Sequence, residues 1–193
     1  MGSAAEDRAK AATLPEGDVV RVLLEQHARV RDLFSEVTSP ECDHRQAVFD
    51  ELRAMLAVHE TAEQMVLRPV TSQIGGGEVA DARTAEETEA NEVLAELEKL
   101  DVGSADFETR IVAFEKTVDE HAEKEEEEEF SLVLEKCHEE QRRELGQRIL
   151  TAESMAPTHP HPSTSGKPAA QFTVGPIAAV VDRVRDALGG SGR

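Results

Sequence analysis

The sequence predicts an all-α protein, an up-down-up-down four-helix bundle with a flexible C-terminal tail that carries a short helix. Three observations support this prediction. Apolar residues recur at spacings of three and four over stretches of roughly 20 residues, short links join these stretches, and Ala, Leu, Val and Glu dominate a chain that has no Trp or Tyr. No long alternating run of Val, Ile and Thr indicates a sheet.

The bundle should occupy residues 18–150, between two tails. We expect residues 1–17 to form a disordered N-terminal tail, because they are mostly small and polar. Pro, Ser, Thr and Gly dominate residues 151–175, which predicts an extended linker. Residues 176–193 should contain a short, weakly amphipathic helix that docks either on the bundle or on a partner protein.

The first two helices are predicted from their apolar stripes and their end signals. The first spans about residues 19–38, with Asp18 as its N-cap, and it places His27 on the buried stripe. The second spans about residues 43–67, and Pro69 should end or kink it, because proline lacks the backbone N–H that a helix needs.

A glycine-rich turn separates this first half from the third and fourth helices. The third helix is predicted over about residues 78–100, and Glu87 lies one heptad before Leu94, on the same inward face. The fourth helix is predicted over about residues 105–137, and it either continues or restarts after a break toward the end of the bundle.

The charge of the chain excludes several classes of partner. A formal net charge of −19 repels phosphate backbones and anionic membranes, so we expect no nucleic acid and no membrane as partners. No apolar run approaches the roughly 20 residues that span a bilayer. The first residues lack the apolar stretch of a secretory signal, and we therefore expect a cytoplasmic protein.

Two motifs with the same spacing indicate the chemistry of the chain. His59 and Glu63, like His121 and Glu125, are four residues apart and project from one face of a helix. Both pairs fall on apolar stripes, where an ionised carboxylate is costly unless it is paired or binds a metal. Equivalent positions on the other two helices complete the set of candidate metal ligands: His27, His59, Glu63, Glu87, His121 and Glu125.

A simpler interpretation exists for each residue alone. A lone histidine on an apolar stripe is more often a hydrogen-bonded core residue than a metal ligand. Most of the glutamate run would be a solvated helix face, and we expect Glu126, Glu127 and Glu129 to contact only water and counter-ions. The coincidence of one histidine and two His-x-x-x-Glu pairs on buried stripes favours a metal site. Imidazole and carboxylate ligands suit a pair of iron ions.

At these residues the chain resembles the hemerythrin-like family, the HHE cation-binding domains. The order of motifs in that family is matched by His27, by His59 with Glu63, and by His121 with Glu125. The resemblance covers the whole predicted bundle, and the C-terminal tail is similar to tails of actinobacterial members. It implies two non-haem iron ions, joined by an oxo or hydroxo bridge, that bind or react with O2, peroxide or nitric oxide.

The third helix departs from the family pattern. Where the family has a histidine, this chain offers Glu87, and no histidine lies between His59 and His121. A carboxylate in place of a neutral imidazole stabilises ferric over ferrous iron, because it brings more negative charge to the metal. The substitution therefore disfavours reversible O2 carriage.

Two other functions stay open at this point. One is a catalase-like di-iron enzyme that decomposes peroxide, and the sequence does not decide whether the protein is an enzyme. The other is a metal-free or zinc-bound module that binds a protein partner through its C-terminal segment. Iron content separates this last alternative from the first two.

Overall fold

In the computed structural model of the protein, which describes residues 2–156 and 158–159, the chain is all-helical, and no strand occurs in that part. Two π-helical segments interrupt the helices. The elements in chain order are α1 (Ala4–Ala11), α2 (Val19–Val37), α3 (Arg45–Ala62), the first π segment (Glu63–Leu67), α4 (Arg68–Gln73), α5 (Gly77–Leu97), α6 (Ala105–Lys124), the second π segment (Glu125–Phe130), α7 (Ser131–Lys136) and α8 (Glu139–Met155).

Helix α2 begins where its capping residue predicts. The side chain of Asp18 accepts a hydrogen bond from the backbone N–H of Val20 at 3.0 Å, which satisfies one of the free N–H groups of the first turn. The same carboxylate accepts a second bond from Arg142 Nε at 2.7 Å, and this contact ties α8 to the start of α2. The buried stripe of α2 includes His27, which is 3% exposed.

The helix predicted over residues 43–67 does not end before Pro69. It runs as α3, passes into the first π segment and continues as α4 to Gln73. Pro69 lies in the first turn of α4, where its missing N–H removes no hydrogen bond from within that helix. The chain then turns at Gly75, whose φ of 101° is a conformation that residues with a Cβ rarely adopt.

The prediction of a disordered N-terminal tail is wrong for the residues that form the first helix. Residues Ala4–Ala11 form α1, which packs on α2 with Ala11 buried at 1% exposure. Ser3 and Glu6 form a capping box at its start, because each side chain bonds to the backbone N–H of the other. A helix this short is marginal in isolation, so packing and ion pairs with the rest of the chain stabilise it.

The end of the predicted fourth helix follows the second of the two alternatives given above, a break and a restart. The backbone is extended at Cys137, which ends α7, and the chain restarts as α8. Helix α8 packs against α2 and α3 and reaches Met155, so residues 151–155, which were predicted as the start of the linker, are helical. The short helix and tail predicted over residues 176–193 lie outside the described residues.

The apolar core consists of two clusters, one on each side of His27 along α2. The first cluster joins the N-terminal half of α2 to α8 and to the last residue of each π segment, Leu67 and Phe130. The second joins the C-terminal half of α2 to α3, α5 and α6. The buried polar residues described below lie between them. Within the described part of the chain, no helix combines the length and hydrophobicity needed to cross a bilayer.

Candidate metal centre

Each His-x-x-x-Glu pair lies across a junction between an α-helix and a π segment. His59 is in the last turn of α3 and Glu63 is the first residue of the first π segment. His121 and Glu125 have the same positions at the junction of α6 with the second π segment. Single-turn π segments inside helices are rare and occur often at functional sites, because the wider turn redirects the side chains that follow.

The structure brings the six predicted ligands together in two groups that share Glu125. Within each group, one potential ligand atom of every residue lies within 4.8 Å of the others. The first group consists of His27, His59, Glu63 and Glu125, and the second of Glu87, His121 and Glu125. The convergence of the six side chains is a finding, whereas their binding of a metal stays a prediction.

The Nε2 atoms of the three histidines face the carboxylates of this centre. His27 Nε2 lies 3.2 Å from Glu125 Oε2, and His121 Nε2 lies 3.1 Å from Glu125 Oε1. His59 Nε2 lies 3.3 Å from Glu63 Oε2. The two oxygens of Glu125 therefore face different histidines, which is the arrangement that a carboxylate shared between two ions needs.

The Nδ1 atom of every one of these histidines is held by an outer acceptor. The acceptors are Glu126 Oε1, 3.2 Å from His27, Gln26 Oε1, 2.8 Å from His59, and Glu86 Oε2, 2.9 Å from His121. Because carboxylate and amide oxygens accept, each Nδ1 carries a proton, and Nε2 is the ring nitrogen that faces the centre. Metal-binding histidines in proteins are oriented by such outer hydrogen bonds.

The surroundings shift the pKa values of the histidines in different directions. Burial, reinforced by the neighbouring His27, lowers the pKa of His59 to about 3, so this ring is neutral at physiological pH. For His27, burial lowers the pKa, but the carboxylates of Glu125 and Glu126 outweigh burial, and the pKa rises. For His121, burial is likewise opposed by Glu125, and the pKa rises well above its usual value.

The central carboxylates are also strongly perturbed. Burial, and next the charge of Glu125, raise the pKa of Glu63 well above the usual value. Burial raises the pKa of Glu87 as well, although Arg68 opposes the change. Glu125 differs, because His121 and Arg68 outweigh burial and hold its pKa well below the usual value. Carboxylates crowded into one buried place need cations, since their charges repel in a medium of low dielectric constant.

The residue that sequence reasoning missed is Arg68. It is 4% exposed and lies at the start of α4, and its guanidinium contacts Glu63, Glu87, Glu125 and Glu129. No sequence motif predicts this contact, because the orientation of Arg68 depends on the π segment before it. The sequence feature that could have identified Arg68 is the presence of a charged residue shortly after the His-x-x-x-Glu motif.

Two glutamates that we expected to contact only solvent also belong to the centre. Glu129 is fully buried and bonds to Arg68 and Thr71. The side chain of Glu126 is 7% exposed and contacts His27 and Arg31. Its Oε2 also lies 2.5 Å from Nζ of Lys10, a residue of helix α1. The expectation was wrong because it treated the glutamate run as one regular α-helical face, whereas the run forms a π segment.

A cavity connects the centre with the surface. It has a volume of about 570 Å³ and reaches His27, His59, His121 and Glu125. Its apolar wall includes Val30, Phe34, Leu56, Ala90 and Val118. Residues Gly2, Ser3 and Ala4, just before and at the start of α1, also line it. A small ligand therefore has space beside the histidines.

The donor atoms fit a metal ion. In the described structure His27 Nε2, His121 Nε2, Glu63 Oε1 and Glu125 Oε2 are buried and have no hydrogen-bond partner. Buried polar atoms are nearly always satisfied in folded proteins, so a cluster of such atoms indicates an absent partner. Two imidazole nitrogens and two carboxylate oxygens are donors that iron and similar ions accept.

Comparison with known proteins agrees with this centre. The chain is 24% identical over 136 residues to an uncharacterized hemerythrin-like protein of Schizosaccharomyces pombe, and the alignment covers 69% of this chain and 67% of the relative. No solved structure matches the chain. The profile of the hemerythrin HHE cation-binding domain matches residues 18–133, which contain all six predicted ligands. The chain therefore belongs to the hemerythrin HHE cation-binding domain family.

Proposed function

We propose that this protein holds two non-haem iron ions in the core of an up-down-up-down four-helix bundle and there binds or reacts with a small oxidant. The observation that carries the proposal is the common orientation of the three histidines. Each ring is fixed by an outer bond at Nδ1 and turns Nε2 toward buried carboxylates. Family membership supports cations, and the donor set favours iron.

The roles of the residues follow from the two groups. His27, His59 and Glu63 would hold one ion, His121 and Glu87 the other, and Glu125 both. Iron bound there supplies the electron transfer that O2, peroxide or nitric oxide requires. The chain orients the rings, keeps His59 neutral and encloses the ligand beside an apolar wall that limits water.

The proposal includes iron as the metal, O2, peroxide or nitric oxide as the oxidant, a cytoplasmic location and an actinobacterial type of the family. A protein partner at the C-terminal segment is a further expectation that falls outside the described residues. The excess of acidic side chains continues to disfavour nucleic acid and anionic membranes as partners.

Iron content tests the proposal directly. Protein purified without chelators and reconstituted with excess ferrous iron in the absence of air should contain about two irons per chain by mass spectrometry. His59→Ala should lose iron, because it removes a ligand of the first group. His44→Ala is the matched control, since the side chain of His44 is 64% exposed and contacts Glu36. Iron-free wild-type protein, or equal iron in both variants, would refute the proposal.

The same samples distinguish a binding protein from an enzyme. Oxygen evolution from added peroxide that disappears in His59→Ala indicates the catalase-like activity. A reversible optical change with O2 or nitric oxide, without turnover, indicates a carrier or sensor. Stoichiometric zinc or no metal after reconstitution would instead favour an interaction module.

A further inference from the structure

The two groups of metal donors differ in how many of their ligand atoms already have a hydrogen-bond partner in the protein. In the first group, His27 Nε2 and Glu63 Oε1 have no hydrogen-bond partner. The oxygen that Glu125 directs to this group, Oε2, is also unpaired. Among these three atoms, an entering ion therefore has to separate only His27 Nε2 from Glu125 Oε2, which lie 3.2 Å apart.

In the second group, carboxylate oxygens already accept hydrogen bonds from protein side chains. Arg68 Nη2 contacts Glu87 Oε1 and Glu125 Oε1, which are carboxylate atoms of this group. The other oxygen of Glu87 accepts a hydrogen bond from Gln64 Nε2 at 2.6 Å. Both oxygens of Glu87 thus have protein partners. Of the second group, His121 Nε2 alone is an unpaired buried atom.

The guanidinium of Arg68 is a permanent cation in this place. An arginine side chain does not lose its proton in proteins, and its planar fork binds carboxylates with directional, charge-assisted bonds. A divalent ion beside it would be repelled and would have to compete for the same two oxygens. The guanidinium therefore acts most strongly on the second group, because Nη2 contacts two of its oxygens, whereas its contact with Glu63 Oε2 of the first group is longer, at 3.3 Å.

We propose that Arg68 occupies the cation position of the second donor group, so that the two metal ions bind with unequal affinity and the second binds only after the guanidinium has left Glu87 and Glu125. This inference rests on the proposed metal-binding function. It adds an order of loading, with the ion at His27, His59 and Glu63 first.

Glu129 provides the place to which Arg68 withdraws. It lies outside both donor groups, contacts Arg68 through Nη1 and is fixed by the hydroxyl of Thr71. When Nη2 leaves the second group, Nη1 can keep its contact with Glu129. The charge of the guanidinium therefore stays paired in either state, which a buried arginine requires.

Metal titration of the apo-protein tests this order. We would titrate wild-type protein anaerobically with ferrous iron by calorimetry and, in parallel, with Co²⁺ by visible absorption. Wild type should show two steps, the second weaker by about 10- to 100-fold, since changes in the partners of ligand groups typically have effects of that size. In Arg68→Met/Glu129→Gln the second step should move toward the first.

The double variant is chosen because it removes one positive and one negative charge together. The formal charge of the centre is unchanged, and Glu87 and Glu125 lose their guanidinium partner. Arg53→Met is the matched control, because Arg53 is also a buried arginine, 6% exposed, whose ion-pair partners Asp50 and Glu98 lie outside both donor groups. Circular dichroism of each apo-protein verifies the fold before titration.

The outcomes separate this inference from the proposed function. Two equal steps in wild type, or a second step that is the same in wild type and in Arg68→Met/Glu129→Gln, would overturn the role of Arg68 and leave metal binding intact. Absence of any metal binding in folded wild-type protein would overturn the proposed function itself. A second step strengthened in Arg53→Met to the same extent would also overturn the assignment to Arg68.

Discussion

At the scale of single residues, the centre depends on side chains that would not themselves touch a metal. Gln26 is an example on α2, next to a predicted ligand. Its Oε1 accepts from His59 Nδ1 at 2.8 Å, and its Nε2 donates to Glu153 Oε1 at 2.6 Å. The ring of His59 is therefore fixed by a chain of bonds that ends on α8, outside the segment matched by the family profile.

Replacing Gln26 should weaken metal binding without removing a ligand. Gln26→Leu deprives His59 Nδ1 of its acceptor, and we expect the affinity of the first metal step to fall by about 10- to 100-fold. Calorimetric titration with ferrous iron measures the change. Gln46→Leu is the control, because Gln46 is half-buried on α3 and bonds to Asp50. Equal affinities in the two variants would contradict the role of Gln26.

The six candidate ligands could be predicted because their positions depend only on helical periodicity. A spacing of four residues on an apolar stripe defines a buried face before any tertiary contact is known, and this was enough for His59 with Glu63 and for His121 with Glu125. Arg68 and Glu129 could not be placed the same way. Their orientation depends on the π segments that precede or contain them, and π segments leave no clear signal in apolar periodicity.

At the scale of elements, the two π segments occupy equivalent places. Each begins with the glutamate of a His-x-x-x-Glu pair and each is followed by a short α-helix that continues the same rod. The wider turn allows a ligand and the residues after it to be buried together. In the second π segment these are Glu125, Glu129 and Phe130, all at most 2% exposed.

Shortening the second π segment should destabilise the protein. Deleting the exposed Glu127 would remove the extra residue of the wider turn, so that Glu129 no longer shares the buried face of Glu125 and loses its contacts with Arg68 and Thr71. The loss should be about 3–5 kcal/mol, the usual range for breaking a buried ion pair. Urea denaturation followed by circular dichroism measures it. Glu127→Ala keeps the register and should be near wild type, and a deletion as stable as that control would argue against a fixed π register.

Helix α1 was not predicted, although one feature of its sequence indicates the start of a helix. The spacing of Ser3 and Glu6 is a capping-box signature, yet the segment is too short and polar to indicate a stable helix by itself. Its stability comes from contacts that sequence does not display, such as Asp7 with Arg31 and Lys10 with Glu126. The four longer helical stretches were predictable because each buries residues spaced three and four apart, although the buried face of α5 includes Arg83, Glu87 and Asn91.

At the scale of the whole molecule, folding and metal binding should be linked. The centre collects four buried carboxylates against one arginine, and the pKa of Glu129 is raised to about 7 by burial, partly offset by Arg68. This crowding weakens the apo-protein, because the repulsion exists only in the folded state. A cation that binds the folded state and not the unfolded state shifts the equilibrium toward the folded state.

Iron should therefore raise the melting temperature. Ferrous iron at about 100 times its dissociation constant stabilises the folded state by about 2.7 kcal/mol, which corresponds to a shift of about 5–10 °C for a chain of this size. Anaerobic scanning calorimetry with and without iron checks it. His59→Ala should show a smaller shift, and identical midpoints for apo and iron-loaded wild type would contradict the convergence of these carboxylates on an ion.

The cavity that reaches the histidines has acidic side chains along its length, among them Glu86, Glu89, Glu115 and Asp119, and few basic ones, Arg31 and Lys124. Such a passage discriminates by charge, since it concentrates cations and opposes anions, whereas uncharged gases enter irrespective of the potential. Azide should consequently reach the centre slowly in dilute buffer and faster as added salt screens the passage, and nitric oxide should be indifferent to salt.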